Sequence, residues 1–381
     1  MSNIFDVVVV GGGASGLMFS SLLKDKKAAL IEHNNKLGAK ILISGGGKCN
    51  ITNEFINEKY FLGDSSFIKS VLRSFDQNVT LRYFHQKGLK TIKIKNNQYF
   101  CENSAKDFLD ILVNECKKHT ILLGEELLDV SKVGDIFYVK TSKRELNAKN
   151  VVVSSGGLSY SSVGASDIGY KIASKFGHKI VKTAPALVGL TLQKEQFFFK
   201  ELSGISCDVS IKVGERICKG SLLFAHKGVS GPAVLDTSLY WEKGEINIDF
   251  LPNTKLEDFR NSNKNISSVL PISKRLATAF LSHLDLDDKK VASLSKSEFE
   301  KLKNIKNYRF APAGTFGYNK AEVTKGGVDT SELNPKSMMS IKCQGLYFIG
   351  EILDVTGQLG GYNIQWALSS AFVAANSINK E

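Results

Sequence analysis

The first thirty or so residues constrain this chain more than any other feature. Phe5-Asp-Val-Val-Val-Val10 is a nearly continuous β-branched run, the composition of a parallel strand buried on both faces. Gly11-Gly-Gly-Ala-Ser-Gly16 follows without a spacer. Leu17 to Lys24 then brings Leu17, Met18, Leu22 and Leu23 round at near-helical recurrence. Ala28-Ala-Leu-Ile-Glu32 reads as a second strand closing on a carboxylate. Glycines alone carry little information, but strand, turn, helix, strand and acid in this order predict a dinucleotide-binding βαβ unit.

Each part has a mechanical task. Gly11 permits the tight turn, Gly13 lets backbone approach a pyrophosphate, and Gly16 lets helix pack on strand. Ala14 and Ser15 open the helix, whose free N–H groups and positive dipole end face the phosphates. Glu32, with His33 beside it, is placed to accept hydrogen bonds from a ribose diol and repels a 2′-phosphate. The expected ligand is therefore FAD or NAD and not NADP.

The tail of the chain separates those two. Gly345-Leu-Tyr-Phe-Ile-Gly350-Glu351 reads as a strand ending in a glycine–acid pair. Gly357, Gly360 and Gly361 precede Tyr362-Asn363-Ile364-Gln365-Trp366 and a run of small and apolar residues that suits a buried helix. A second helix start facing one site suits a long cofactor, one end taking the pyrophosphate and the other the pyrimidine edge of a flavin. FAD is the expected cofactor. Val151-Val-Val-Ser-Ser155-Gly156-Gly157 reads as another buried strand, returning from a β excursion in which the Leu127 backbone is placed to meet adenine; for the diglycine, a tight connection is the simpler reading.

With 381 residues, two or three folding units are expected. The formal charge of +12 raises the question of a polyanionic partner, but the lysines are dispersed and lack interleaved aromatics, so nucleic acid is not the expected partner. Six cysteines show no CxxC and no zinc-like spacing with the histidines, and read as free thiols of a reducing compartment. The segment Met-Ser-Asn-Ile-Phe-Asp has no basic region, and the apolar run after it is broken by glycines. Neither signal peptide nor membrane span is expected, and the cytoplasm is the expected compartment.

At these residues the chain resembles the HI0933-like flavoproteins of bacteria, the YhiN/BaiN group. The matching stretches are Gly11–Leu17, Lys40–Asn53, Gly156–Tyr160, Leu222–Asp236, Ala321–Val328, Gly350–Asp354 and Gly360–Trp366. Ser44-Gly-Gly-Gly-Lys-Cys-Asn50 and Gly360-Gly-Tyr-Asn-Ile-Gln-Trp366 are the specific ones. Lys48 stands where the family usually has Arg, losing a bidentate fork. Ser161-Ser-Val163 replaces a stretch usually containing Pro and Thr, and Thr356 sits where an acid is common.

The resemblance implies an α/β architecture: a split Rossmann-like FAD-binding domain with an inserted antiparallel β domain and a small helical subdomain. The expected boundaries are 1–190 with 334–381 for the first, 191–254 with 311–333 for the second, and 255–310 for the third. The texture changes accordingly, with short alternating segments such as Val209–Val213 and Glu245–Asp249 after Val188, and a lysine-rich helix-like stretch from Leu256 to Lys303.

Lys40 and the loop Ser44, Gly45, Gly46, Gly47, Lys48, Cys49 and Asn50 are expected at the cofactor, with bare N–H groups and a cation offsetting phosphate or reduced-flavin charge. Gly350, Glu351, Gly361, Asn363 and Ile364 are expected on its other side. Cys49 invites a redox-thiol reading, but no second cysteine is tied to it by sequence, and a packing thiol is favoured. His226, in Phe224-Ala-His-Lys-Gly-Val-Ser-Gly231, is the candidate acid or base on the substrate side, with Tyr160 and Tyr362 behind it. No metal site and no nucleophile elbow are expected.

The expected activity is FAD-dependent reduction of a small unsaturated organic acceptor, with NAD(P)H docking transiently as reductant because there is no second GxGxxG. The rivals are a flavin-dependent RNA-modifying protein, suggested by the charge, and a protein that binds FAD without turning over.

Overall fold

The computed structural model describes residues 4–94 and 97–381. The predicted βαβ unit lies at the centre of a seven-stranded sheet: strand β1 (Phe5–Val10), helix α1 (Ala14–Leu22) and strand β2 (Ala28–Glu32). β1 runs parallel to β2, with Val7 opposite Ala28 and Val10 opposite Ile31. On its other side β1 is parallel to Glu145–Val153, with Val10 opposite Val153. Thr120–Leu123 extends the sheet beyond β2, and Leu346–Phe348 pairs in parallel with the end of Glu145–Val153. Val7, Val8 and Val9 have no exposed surface, the burial on both faces that their β-branched run implies.

The long strand Glu145–Val153 changes partners along its length. Its first half pairs antiparallel with Ile136–Thr141, which pairs with Leu127–Val133, so the β excursion returns directly into the nucleotide sheet. A three-stranded sheet of Asn50–Asn53, Gln98–Cys101 and Thr91–Ile94 forms beside it. The C-terminal helix Tyr362–Ile378 packs against α1, as its small residues allow, and Lys24 N–H donates to Asn379 Oδ1 at 3.0 Å while Asn379 Nδ2 donates to Leu22 O at 3.0 Å.

The chain divides into two compact units, residues 1–185 with 322–381, and residues 186–321. In the first, Val323–Val328 pairs with Ile180–Ala186. The second holds a seven-stranded sheet whose hairpin Ser206–Val213 and Arg216–Ala225 is flanked by Ile246–Asp249, antiparallel as the alternating pattern predicts. Phe199, Phe224, Phe250, Phe280 and Phe310 are almost fully buried at its centre. The helix Lys274–His283 joins that core, with the Phe280 ring 4.8 Å from Phe250, so the lysine-rich segment has no separate core. No helix among the described residues is long and apolar enough to cross a membrane.

Candidate functional site

The three glycines of the first turn do three different things. Gly11 has φ 102°, and a Cβ there would lie 2.6 Å from the Ser154 carbonyl oxygen. A Cβ at Gly16 would lie 2.0 Å from the Gly11 carbonyl oxygen, so the helix touches the turn through bare Cα. Gly13 is extended, with nothing within 4 Å of its would-be Cβ. Conformation demands the first and packing the second, while the third leaves open space in which an incoming group has room. α1 starts without a side-chain cap, leaving the N–H groups of its first turn, from Ala14 and Ser15 on, for a ligand.

Glu32 is buried and already engaged. Oε2 accepts from Gly12 N–H at 2.8 Å, while Oε1 accepts from the Asn34 N–H and Nδ2, both at 2.9 Å, and lies 3.1 Å from His33 Nδ1. The carboxylate therefore clamps the glycine turn, and Oε2, with one protein donor, is the oxygen left with capacity for a ribose hydroxyl. Asn34 also donates to Val163 O at 3.1 Å, which brings the 160–164 loop against the end of β2. Leu127, expected at the adenine, is buried at the start of its strand opposite Thr141.

On the C-terminal side, Lys40 pairs with Glu351 at 2.8 Å, and Glu351 Oε1 also accepts from Thr324 N–H at 2.9 Å. Lys40 is thus held by a carboxylate and is not a free cation. Gly157 is pressed against the same group, its would-be Cβ 2.6 Å from Thr324 and 3.1 Å from Glu351 Oε1. Gly156, at φ 74°, faces open space. Gly350 receives the C-terminal helix: Trp366 Nε1–H donates to its carbonyl at 3.1 Å, and its own N–H donates to Ser370 Oγ at 3.0 Å. Asn363 closes the glycine loop by accepting from Gly357 N–H at 2.8 Å and donating to Gly357 O at 2.9 Å. Gly361, at φ 94°, caps the helix start, with Ile364 half-buried in its first turn.

Gln365 has a structural task that its motif did not disclose. Fully buried, it accepts from Thr52 Oγ1 at 2.6 Å and donates to Phe75 O at 2.8 Å, pinning the helix to strand β3 (Asn50–Asn53).

The loop between Lys40 and Asn50 begins with a short helix over Ala39–Ile43. Gly45, Gly46 and Gly47 then take φ of 55°, 65° and 86°, left-handed backbone that L side chains rarely adopt. Gly46 faces open space. Ser44 Oγ donates to Ile41 O, Asn50 meets Gln98 at 2.7 Å, and Lys48 is exposed with no ion pair among the described residues. Leu42 and Ile43 keep 37% and 44% of their surface in water, an apolar ledge beside the loop.

These features fit a dinucleotide. Gly13, Gly46 and Gly156 have room in front of them, α1 is uncapped, and the Ser155 hydroxyl is buried without a hydrogen-bond partner. Residues 5–377 match the HI0933-like protein Rossmann domain. The chain belongs to the HI0933-like family, a Rossmann-type flavoprotein family.

Three curated relatives of this HI0933-like protein align over nearly their whole length. Ribosomal RNA dihydrouridine synthase of Haemophilus influenzae is 36% identical, with 100% of each chain covered. The Escherichia coli protein of the same name is 37% identical, with 98% of each covered. The 3-dehydro-bile acid delta(4,6)-reductase of Clostridium scindens is 28% identical, covering 97% of this chain and 98% of that one. Among solved structures, 3-ketosteroid delta1-dehydrogenase of Sterolibacterium denitrificans superposes with a TM-score of 0.52 at 13% identity, covering 100% of both chains, a likeness of fold alone.

One group in this HI0933-like chain, Glu322, escaped the residue-by-residue reading, and Tyr160, read only as a secondary acid candidate, lies within its electrostatic influence. Crowding by surrounding protein pushes the Glu322 carboxyl above its usual range and Lys40 acts against that shift, although the residue stays open to solvent. Tyr160, in left-handed backbone at φ 64°, has its phenol raised by burial and then by Glu322, and Lys40 Nζ lies 5.9 Å from its ring. Glu322 sits in one of the family stretches, Ala321–Val328, but its electrostatic coupling to Lys40 and Tyr160 spans well over a hundred residues and leaves no periodic signal. His226, by contrast, is exposed in the turn between Arg216–Ala225 and Gly228–Ser230, and its ring makes no hydrogen bond or ion pair among the described residues. No group of three or more metal-ligating side chains exists among the described residues.

Proposed function

We propose that this protein binds FAD and reduces the C5–C6 double bond of a uridine in ribosomal RNA. The observation that carries the reading is full-length identity of 36% and 37% to two proteins named for that activity. RNA stood second on sequence alone, because the lysines are dispersed. A charge of +12 nevertheless attracts a polyanion over long range without a concentrated patch.

Bound FAD supplies the two-electron reducing chemistry, replenished by NADH or NADPH. The residues that would hold it are Gly13 and the α1 start for the pyrophosphate, Glu32 Oε2 for a ribose hydroxyl, and the ledge of Leu42 and Ile43 for apolar ring surface. The uracil double bond is conjugated with the C4 carbonyl, so an electron pair arriving at C6 requires a proton at C5. A Glu322 carboxyl that keeps its proton to higher pH than an ordinary glutamate is suited to donate it.

A second reading, a small unsaturated ketone as acceptor, is supported by the 28% identity to the bile acid reductase. Enone and uracil present the same conjugated acceptor, so the substrates and not the chemistry divide the two. The test is anaerobic incubation of purified protein with NADH or NADPH and unmodified ribosomal RNA, followed by nuclease digestion and mass spectrometry. A gain of two hydrogens on a defined uridine supports the first reading. Consumption of a steroid enone with untouched RNA overturns it in favour of the second.

A further inference from the structure

Six cysteines are free, and two of them meet. Cys49 closes the glycine loop and Cys101 ends the strand Gln98–Cys101, and the backbone joins them because Cys101 N–H donates to Lys48 O at 3.0 Å and to Cys49 O at 3.3 Å. Both side chains have no exposed surface, and the two thiols are close enough for each to shift the titration of the other. We propose that Cys49 and Cys101 are a redox dithiol that hydrogen peroxide converts reversibly to a disulfide.

The two sulfurs are unequal, as such a step requires. The neighbouring Cys49 thiol holds the Cys101 thiol below its ordinary value against the opposing effect of burial, assisted by the Phe108 N–H in the first turns of helix Ala105–Cys116. The Cys101 sulfur beside it, together with burial, pushes the Cys49 thiol well up. Burial drives Cys116 and Cys207 to about 12 and Cys218 to about 11, and it raises Cys343. Cys101 is the one thiol of the six displaced toward thiolate.

The chemistry follows from that asymmetry. Cys101 Sγ attacks one peroxide oxygen, the O–O bond breaks, and hydroxide leaves and takes up the thiol proton, giving water and a sulfenic acid on Cys101. Cys49 Sγ then attacks Cys101 Sγ, the S–O bond breaks, and the Cys49 proton leaves with the oxygen as a second water. Two thiols lose two electrons and peroxide gains them. Burial excludes bulky thiols such as glutathione, so the oxidant to be tested is a small one. The new bond ties the glycine loop to the strand beneath it. This inference rests on the thiol geometry and not on the proposed substrate.

The test uses the full chain, treated with peroxide, denatured, alkylated and mapped by mass spectrometry. Cys49 and Cys101 are expected to escape alkylation and to appear as one cross-linked peptide pair lighter by two hydrogens, while the other four cysteines label fully. Dithiothreitol restores labelling at both. In Cys49→Ser the same dose carries Cys101 on to sulfinic acid, because the resolving thiol is gone. Full labelling of both cysteines in large excess peroxide overturns the proposal, as does equal over-oxidation of Cys101 with and without Cys49. If Cys49→Ser fails to fold, the cross-linked peptide of the wild-type chain decides alone.

Discussion

The contrast between Gly13 and Gly16 separates a ligand-facing glycine from a packing one. In Gly16→Ala the new methyl lies 2.0 Å from the Gly11 carbonyl oxygen and 2.6 Å from Ser154 Oγ, where ordinary contact begins at 3.4 Å. Turn and helix must separate by more than an ångström, and the main obstacle is backbone that no rotamer change moves. Overpacking of this kind costs about 3 kcal/mol, the upper part of its usual range. For a unit of this size that lowers the melting temperature by roughly 6–12 °C. Gly13→Ala meets nothing within 4 Å and sits in extended backbone that alanine adopts freely. The apoprotein should melt at the wild-type temperature or slightly above, since the unfolded chain loses freedom worth up to about 1 kcal/mol. Its methyl enters the space proposed for the pyrophosphate, and a tenfold loss of FAD affinity, about 1.4 kcal/mol, is expected. Thermal melting of the apoproteins and fluorescence titration with FAD read the two effects apart. If Gly13→Ala melts as low as Gly16→Ala, or binds FAD as wild type does, the assignment of the two glycines is wrong.

Other perturbations have expected outcomes of their own. Glu32→Ala strips Gly12 and Asn34 N–H groups of their acceptor, at about 1–3 kcal/mol for each buried donor left unpaired, visible as a lower denaturant midpoint even without cofactor. Gln365→Leu leaves the buried Thr52 hydroxyl without its acceptor and should cost about 2 kcal/mol by the same measurement. Glu322 binds its proton more tightly folded than unfolded, so the fold loses stability as pH rises from the ordinary glutamate value of 4.5 toward the higher folded value, and Glu322→Gln should flatten that limb of a pH–stability series. Glu298, drawn down to about 2 chiefly by Lys289, has the opposite sign: its contribution is present above 4.5 and lost as pH falls toward 2, a loss that Glu298→Gln removes. With His226 exposed and unpartnered, His226→Asn is expected to leave cofactor reduction and acceptor turnover unchanged, and a large fall in turnover with unaltered cofactor reduction would restore it as the acid.

What the sequence disclosed follows from how far apart the cooperating residues lie. Gly11, Gly13, Gly16 and Glu32 act within one βαβ unit, so spacing alone carries their roles. The buried strands Val151–Val153 and Leu346–Phe348 were visible as apolar runs closing on glycine. Lys40 was visible as a cation but not as the partner of Glu351, 311 residues away. Cys49 was visible as a thiol, whereas Cys101 reaches it only through pairing of Asn50 with Phe100 in a sheet whose strands are short and half-buried. Gln365 carried the motif's signature without its reason, because Thr52 and Phe75 are brought to it by tertiary packing.

The division of the chain also has a bearing on its synthesis. The first unit needs Leu346–Phe348 to finish its sheet and Tyr362–Ile378 to cover α1, yet the whole of 186–321 is translated before either. A ribosome therefore leaves the Val151–Val153 edge and the α1 face awaiting Tyr362–Ile378 open for the time taken to make more than a hundred further residues. During that interval the sheet edge that awaits Leu346–Phe348 is open to other chains. The second unit is one continuous stretch and faces no such delay. Aggregation during expression should accordingly originate in the nucleotide-binding half, and slower elongation across 186–321 should worsen it.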